Sequence, residues 1–109
     1  MHKYYRLSDN NEVEECDADK CEEFLLSGRK IIKQEDVGDY WVSTVFLCID
    51  HNWGFREEKR PVVFETMIKN KDKWENYQER YCTYADALNG HNAVVEKLKQ
   101  GLSLNDQEL

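Results

Sequence analysis

The sequence predicts an α+β fold, an antiparallel β-sheet of about five to six strands with one short helix and one longer C-terminal helix. Two observations predict it. Runs rich in β-branched and aromatic residues are separated by turns containing Asn, Asp or Gly. Capping residues followed by apolar residues at helical spacing occur twice, giving the order β-β-α-β-β-β-β-α.

The N-terminal part predicts a hairpin followed by the short helix. Lys3–Leu7 and Glu12–Glu15 form the two strands, and Ser8–Asn11 forms the turn, because Asp and Asn side chains bond to their own backbone. Asp17 caps a helix from Ala18 to about Ser27, and a glycine ends it. This helix is short and acidic, so it must pack on the sheet to persist.

Four further strands are predicted in the middle of the chain: 29–35, 40–49, 61–68 and 77–82. The strand from Tyr40 to Ile49 is largely apolar on both of its alternating faces, which is typical of a central strand covered on both sides. We expect a helix to cover one face and a helix or a second subunit to cover the other. The sequence therefore predicts a homo-oligomer.

Thr83 predicts the N-cap of the longer helix, with Asp86 at the reciprocal capping position. Gly101 ends this helix. Residues 1–101 form one predicted ligand-binding domain, and 102–109 a tail that is either frayed or packed on a neighbouring subunit.

The formal charge of −7 argues against a nucleic-acid polymer as partner, because such partners are bound by basic surfaces. There is no apolar run long enough to span a membrane and no secretory signal at the start, so we expect a cytoplasmic protein. The four cysteines lack the paired spacing of zinc ligands, and a reducing compartment disfavours disulfides. We therefore expect neither metal nor disulfide, and no cofactor.

The sequence contains few residues in arrangements typical of catalytic sites, and we expect no enzymatic activity. The three histidines, His2, His51 and His91, are not accompanied by a nucleophile elbow, and the glycines are scattered singly rather than grouped into a phosphate loop. Asp50 and His51 are adjacent, but neighbours in an extended segment point to opposite sides.

Binding residues are better represented, around the loop after Ile49 and the start of the last helix. Aromatic rings, arginines and amides occur together there, a combination that stacks on a base and holds phosphate oxygens. The candidate ligand-binding residues are Trp53, Phe55, Arg56, Arg80, Tyr81, Asn89, His91 and Asn92. Four of these residues also have a purely structural interpretation. In it, Trp53 and Phe55 cover the end of the sheet, Arg80 pairs with Glu65 or Glu79, and His91 is a core histidine.

Several segments together resemble a known family. They are Asp39–Leu47, Asp50–Asn52, Phe64–Met67, Arg80–Thr83 and Gly90–His91. This pattern is similar to the Thoeris anti-defence sponge family of small phage proteins. The chain departs from it between Trp53 and Arg60, where relatives are glycine-rich, so the resemblance carries over best to Arg80, Tyr81, His91 and Asn92.

The resemblance implies a homo-oligomeric phage protein that binds and sequesters a cyclic ADP-ribose isomer, and in some members cyclic oligonucleotides, without cleaving it. Two alternatives remain open: a hydrolase that degrades such a signal, and an inhibitor that binds a host defence enzyme directly. For the leading interpretation we expect phosphate to bind between Arg80 and the positive end of the last helix, with Arg80→Ala and Asn92→Trp disrupting binding.

Overall fold

The computed structural model describes residues 3–51 and 59–101. It confirms the α+β class and the predicted order of elements. The strands are β1 (Tyr4–Leu7), β2 (Val13–Cys16), β3 (Ile31–Val37), β4 (Tyr40–Phe46), β5 (Phe64–Asn70) and β6 (Lys73–Tyr81), and the helices are α1 (Ala18–Leu26) and α2 (Tyr84–Lys99).

The strands form two antiparallel sheets rather than the single one expected. One is the β1–β2 hairpin and the other has the order β3-β4-β5-β6. The two are joined where β1 meets the segment after β4: the Tyr5 amide donates to the Cys48 carbonyl at 2.8 Å, and Tyr4 forms an isolated bridge with Ile49.

Strand boundaries differ from the prediction by three residues or more at three places. Strand β4 ends at Phe46 because the chain turns at Cys48, whose φ of 70° lies in the left-handed region. Strand β5 begins at Phe64 rather than Pro61. The predicted loop from Asn70 to Glu75 is wrong: a tight turn with Lys71 at φ 57° joins β5 directly to β6.

Both predicted N-caps are confirmed. The Asp17 carboxylate accepts a hydrogen bond from the Lys20 amide at 2.9 Å, and the Thr83 hydroxyl accepts one from the Asp86 amide at 3.1 Å. Each satisfies a backbone donor that the first helical turn leaves free. None of the described helices is long and apolar enough to cross a membrane.

The core lies on one face of the four-stranded sheet. At one end, Phe46 and Phe64 pack with Phe24 of α1 and Leu7 of the hairpin. At the other end, a second cluster joins the sheet to α2, formed by Val42, Ile68, Val94 and Val95. The helices and the hairpin therefore share one side of the sheet.

The expectation of four unpaired cysteines is wrong for two of them. Cys21 of α1 and Cys48 form a disulfide, with Cα atoms 6.4 Å apart, while Cys16 and Cys82 are free thiols. No local pattern in the sequence indicates this pairing, because α1 and the segment after β4 are brought together by the packing of the core.

Candidate functional site

A cleft of about 720 Å³ opens between the β1–β2 hairpin and the N-terminus of α2. This volume lies within the range of small-molecule sites. Three segments line it: the hairpin, the chain entering β5, and the first turn of α2. Its lining residues are Tyr5, Asn10, Asn11, Glu12, Val13, Glu15, Arg60, Pro61, Cys82, Thr83, Tyr84 and Ala85.

The hairpin wall is held by hydrogen bonds within its turn and by Arg29. The Ser8 hydroxyl accepts from the amides of Asn10 and Glu12 at 3.2 and 3.1 Å, and Asn11 takes a left-handed conformation with φ 62°. The Arg29 guanidinium donates to the Ser8 carbonyl at 2.8 Å and to Asn11 Oδ1 at 3.2 Å. Arg29 therefore fixes the turn, and one amide oxygen of the lining is already engaged.

The second wall is the segment that carries Arg60 and Pro61. It is positioned by its continuation into the core, where Val62 and Val63 are fully buried. The Val62 amide donates to Asp50 Oδ1 at 2.8 Å, and the His51 amide donates to the Val62 carbonyl at 2.8 Å. These bonds fix the backbone that follows Arg60, whose exposed side chain lines the cleft.

The third wall is the start of α2, where the helix dipole presents its positive end. Tyr84 is the first helical residue, after the Thr83 cap. Of the described residues that line the cleft, Arg60 supplies the positive side-chain charge, while Glu12 and Glu15 supply carboxylates. The cleft therefore presents a positive charge near Arg60 and the helix N-terminus, together with carboxylate hydrogen-bond acceptors.

Two tyrosines give the cleft aromatic surface. Tyr5 and Tyr84 are both partly buried, with their apolar bodies against the Phe46–Phe64 cluster. Burial raises the pKa of Tyr5, and the carboxylates of Glu15 and Asp50 raise it further. The Tyr5 hydroxyl thus keeps its proton at neutral pH and remains a hydrogen-bond donor.

The structure separates the residues that the sequence grouped at the start of α2. Arg80 and Tyr81 are neighbours on β6, so their side chains point to opposite faces of the sheet. Arg80 Nε donates to Glu65 Oε2 at 3.0 Å, the pairing that the structural interpretation named. Neither residue lines the cleft described above.

Tyr81 lies on the helix side of the sheet, packed against α2. A Cβ at position 90 would overlap the Tyr81 ring and hydroxyl, so the glycine there allows this close approach. The hydroxyl is buried beside Thr66 but makes no well-formed hydrogen bond with a described residue, and burial raises the pKa of Tyr81. A ring held in this way does not present a free face to a base.

His91 belongs to a buried polar network. Its Nδ1 lies 2.7 Å from the Thr44 hydroxyl and its Nε2 lies 2.9 Å from Glu35 Oε1, while the Thr44 and Thr66 hydroxyls are 2.5 Å apart. His91, Thr44 and Thr66 are fully buried. The imidazole of His91 is therefore enclosed in the core, and both of its ring nitrogens are engaged by Thr44 and Glu35.

The direction of these hydrogen bonds follows from the charge state of His91. Burial lowers the pKa of His91, and the hydrogen bond to Glu35 opposes that shift; the same hydrogen bond lowers the pKa of Glu35. With a neutral ring, Nε2 donates to the carboxylate and Nδ1 must accept from Thr44. Thr44 then accepts from Thr66.

The remaining candidates lie elsewhere. Asn89 and Asn92 are exposed on α2, and Asn92 Oδ1 accepts from Lys33 Nζ at 3.0 Å. Trp53, Phe55 and Arg56 lie outside the described residues.

The cleft lies at the N-terminus of α2, the helix end where the sequence analysis expected phosphate to bind, but side chains other than the candidates line it. Tyr5, Tyr84 and Arg60 were missed as a group. The sequence carries little indication of this group of residues, because their proximity depends on the N-terminal hairpin lying beside the start of the last helix.

Comparison with protein-family models, with curated proteins and with solved structures found no match. In the described part of the chain, no cluster of three or more His, Cys, Asp or Glu side chains is arranged to hold a metal ion.

Proposed function

We propose that this protein binds a nucleotide immune signal of the cyclic ADP-ribose type in the cleft at the N-terminus of α2 and sequesters it without cleaving it. The observation that carries the proposal is the composition of that cleft. Two tyrosines, an arginine, amide side chains and a helix N-terminus meet around one volume of about 720 Å³. Phage origin, action in the host cytoplasm and a homo-oligomeric state belong to the same proposal.

Each wall has a matching part of such a ligand. A base stacks on Tyr5 or Tyr84, a contact worth on the order of 1–3 kcal/mol. The phosphate groups lie towards Arg60 and the positive end of α2. The carboxylates of Glu12 and Glu15 accept hydrogen bonds from ribose hydroxyls, which gives the acidic lining a role in binding.

Sequestration rather than hydrolysis is favoured because the carboxylates of Glu12 and Glu15 are exposed and no histidine lies beside Cys82 or Thr83 among the described cleft residues to activate a nucleophile. A general base must lie within hydrogen-bond reach of the proton it removes. His91 is fully buried and committed to Thr44 and Glu35. The residues that line the cleft in the described ranges include no imidazole.

The proposal is tested by thermal shift and calorimetry with cyclic ADP-ribose isomers, using linear ADP-ribose as a comparison. At a hundredfold excess over the dissociation constant, a bound ligand adds about 2.7 kcal/mol of apparent stability. We expect Arg60→Ala to weaken binding by roughly ten- to a hundredfold, since charge-assisted hydrogen bonds contribute about 1.5–3 kcal/mol.

Lys71→Ala is the matched control, because it removes a positive charge from the exposed β5–β6 turn. Unfolding of each variant without ligand checks that the fold is intact. Equal weakening by Lys71→Ala and Arg60→Ala, or full affinity in Arg60→Ala, contradicts the assignment of this cleft.

A further inference from the structure

The disulfide between Cys21 and Cys48 is buried, and a third cysteine packs close to it. The exposed fractions of the two bonded cysteines are only 6% and 2%. A reductant must attack a sulfur atom directly, so burial protects this bond from small thiols in solution. Cys16 is a partly exposed thiol, and it packs against the same core cluster that contains both bonded cysteines.

The start of α1 places Cys16 beside Cys21. Asp17 is the N-cap, so Cys16 is the residue before the cap and Cys21 is the fourth residue of the helix. Side chains at these two positions commonly pack against each other and fix the angle at which the chain enters the helix. The Cys21 amide donates to the Asp17 carbonyl at 3.1 Å, which holds this turn in place. Cys16 therefore connects the surface with the buried disulfide.

We propose that Cys16 relays reducing equivalents from solution to the buried disulfide by thiol–disulfide exchange. The Cys16 thiolate attacks Cys21 Sγ, and a Cys16–Cys21 bond forms. The Cys21–Cys48 bond breaks, and its electron pair leaves on Cys48 Sγ, which takes up the proton that Cys16 lost. This step consumes neither an oxidant nor a reductant.

The released Cys48 thiol has a hydrogen-bond acceptor already in place, because its Sγ lies 3.1 Å from the Tyr5 carbonyl oxygen. The new bond includes the partly exposed Cys16. A small thiol attacks Cys16 Sγ and frees Cys21 as a thiolate; a second small thiol then attacks the mixed disulfide and releases Cys16. In sum, two small thiols become one small disulfide, and Cys21 and Cys48 become thiols.

Reduction detaches α1 from the segment that holds two walls of the cleft. The Cys48 carbonyl accepts from the Tyr5 amide of the hairpin wall, and Asp50 and His51 bond to Val62 beside the second wall. Weaker ligand binding after reduction is the expected consequence; it rests on the proposed function, whereas the relay does not. A redox-sensitive bond also agrees with the proposed action in the cytoplasm, where disulfides are usually transient or redox-sensing.

The groups around Cys16 set the pH dependence of the relay. Burial raises the pKa of the Cys16 thiol, the Arg6 guanidinium lowers it, and the carboxylates of Asp17, Glu14 and Glu15 raise it. The thiol is therefore mostly protonated at neutral pH. Because the thiolate is the nucleophile, we expect the exchange rate to rise with pH until the thiol is fully ionised.

The rate of reduction by dithiothreitol tests the relay. The oxidised full chain is mixed with dithiothreitol and trapped with an alkylating reagent, and peptide mass mapping gives the paired cysteines at each time. We expect Cys16→Ser to slow the loss of the Cys21–Cys48 bond by about tenfold or more, because the reductant must then wait for the core to open. Cys82→Ser is the matched control: it removes the other thiol outside the disulfide and is expected to keep the parent rate.

Cys48→Ser tests the exchange partner separately. It leaves Cys16 and Cys21 as thiols, and we expect oxidised glutathione, itself reduced to two thiols, to join them in a disulfide that excludes Cys82. Unfolding midpoints measured before treatment confirm that each variant is folded. Reduction of Cys16→Ser at the parent rate overturns the proposal, and so does a folded Cys48→Ser chain in which Cys16 and Cys21 stay unpaired. Neither readout uses a nucleotide, so a failure of the relay is distinguishable from a failure of the proposed function.

Discussion

The buried hydrogen-bond network beneath α2 predicts which of two similar substitutions lowers the stability of the protein more. Thr44→Val removes the hydroxyl that donates to His91 Nδ1 at 2.7 Å and that accepts from Thr66 at 2.5 Å. Valine has nearly the shape of threonine, so the change leaves no cavity. The effect therefore measures the hydrogen bonds.

The magnitude follows from what each substitution leaves unpaired. Each net hydrogen bond contributes about 0.5–1.5 kcal/mol, whereas removing one partner so that a buried acceptor is left without a donor costs about 1–3 kcal/mol. Thr44→Val leaves the fully buried His91 Nδ1 without its donor and also removes the bond from Thr66, so we expect the free energy of unfolding to fall by about 2–4 kcal/mol. Thr66→Val leaves the donation from Thr44 to His91 in place and is expected to cost only about 1 kcal/mol.

Chemical denaturation of both variants at neutral pH measures these values, with the slope on denaturant concentration compared to confirm that the unfolded states are alike. A loss of about 2–4 kcal/mol is a large part of the 5–15 kcal/mol typical of a domain. If Thr66→Val proves as costly as Thr44→Val, or costlier, the donor order assigned to the network is wrong.

Three further outcomes follow from the same structure. Gly90→Ala forces a Cβ into the Tyr81 ring, and overpacking of this kind lowers stability by about 1–3 kcal/mol in a denaturation experiment, offset in part by the better helix propensity of alanine. Reduction of the Cys21–Cys48 disulfide, which closes a separation of 27 residues, is expected to cost up to about 3.5 kcal/mol in the same assay, and thiol titration before reduction should detect only the two free cysteines. Burial lowers the pKa of His91 in the folded protein, so the unfolded chain binds more protons at this residue. His91 therefore makes the free energy of unfolding fall as the pH drops below about 6.5. An NMR titration of the imidazole with a midpoint above that value contradicts the burial argument.

Local signals in the sequence predicted the fold well. The caps at Asp17 and Thr83 and the order of strands depend on short-range patterns, and the structure confirms them. The turn at Lys71 was predicted as a longer loop because the segment is rich in charged residues. In the structure it is a tight turn in which a lysine adopts positive φ. Propensity alone does not identify such a turn.

The candidate site was much less predictable, because it depends on contacts between distant segments. The sequence left open whether His91 was a ligand contact or a core histidine, and the register of β4 with β5 decides it by placing Thr44 and Thr66 side by side beneath the helix. The cleft itself joins Tyr5 to Tyr84, residues from opposite ends of the chain. No periodicity within either segment reports their proximity.

Binding without turnover is the central claim, and one measurement tests it most directly. The purified chain is incubated with a cyclic ADP-ribose isomer, freed of unbound ligand, denatured, and the released small molecule is analysed by mass spectrometry. We expect the intact cyclic compound to be recovered from the parent protein and to be strongly reduced after Arg60→Ala, with Lys71→Ala unchanged. Recovery of a linear or cleaved product, or of no nucleotide from the parent protein, contradicts sequestration in this cleft.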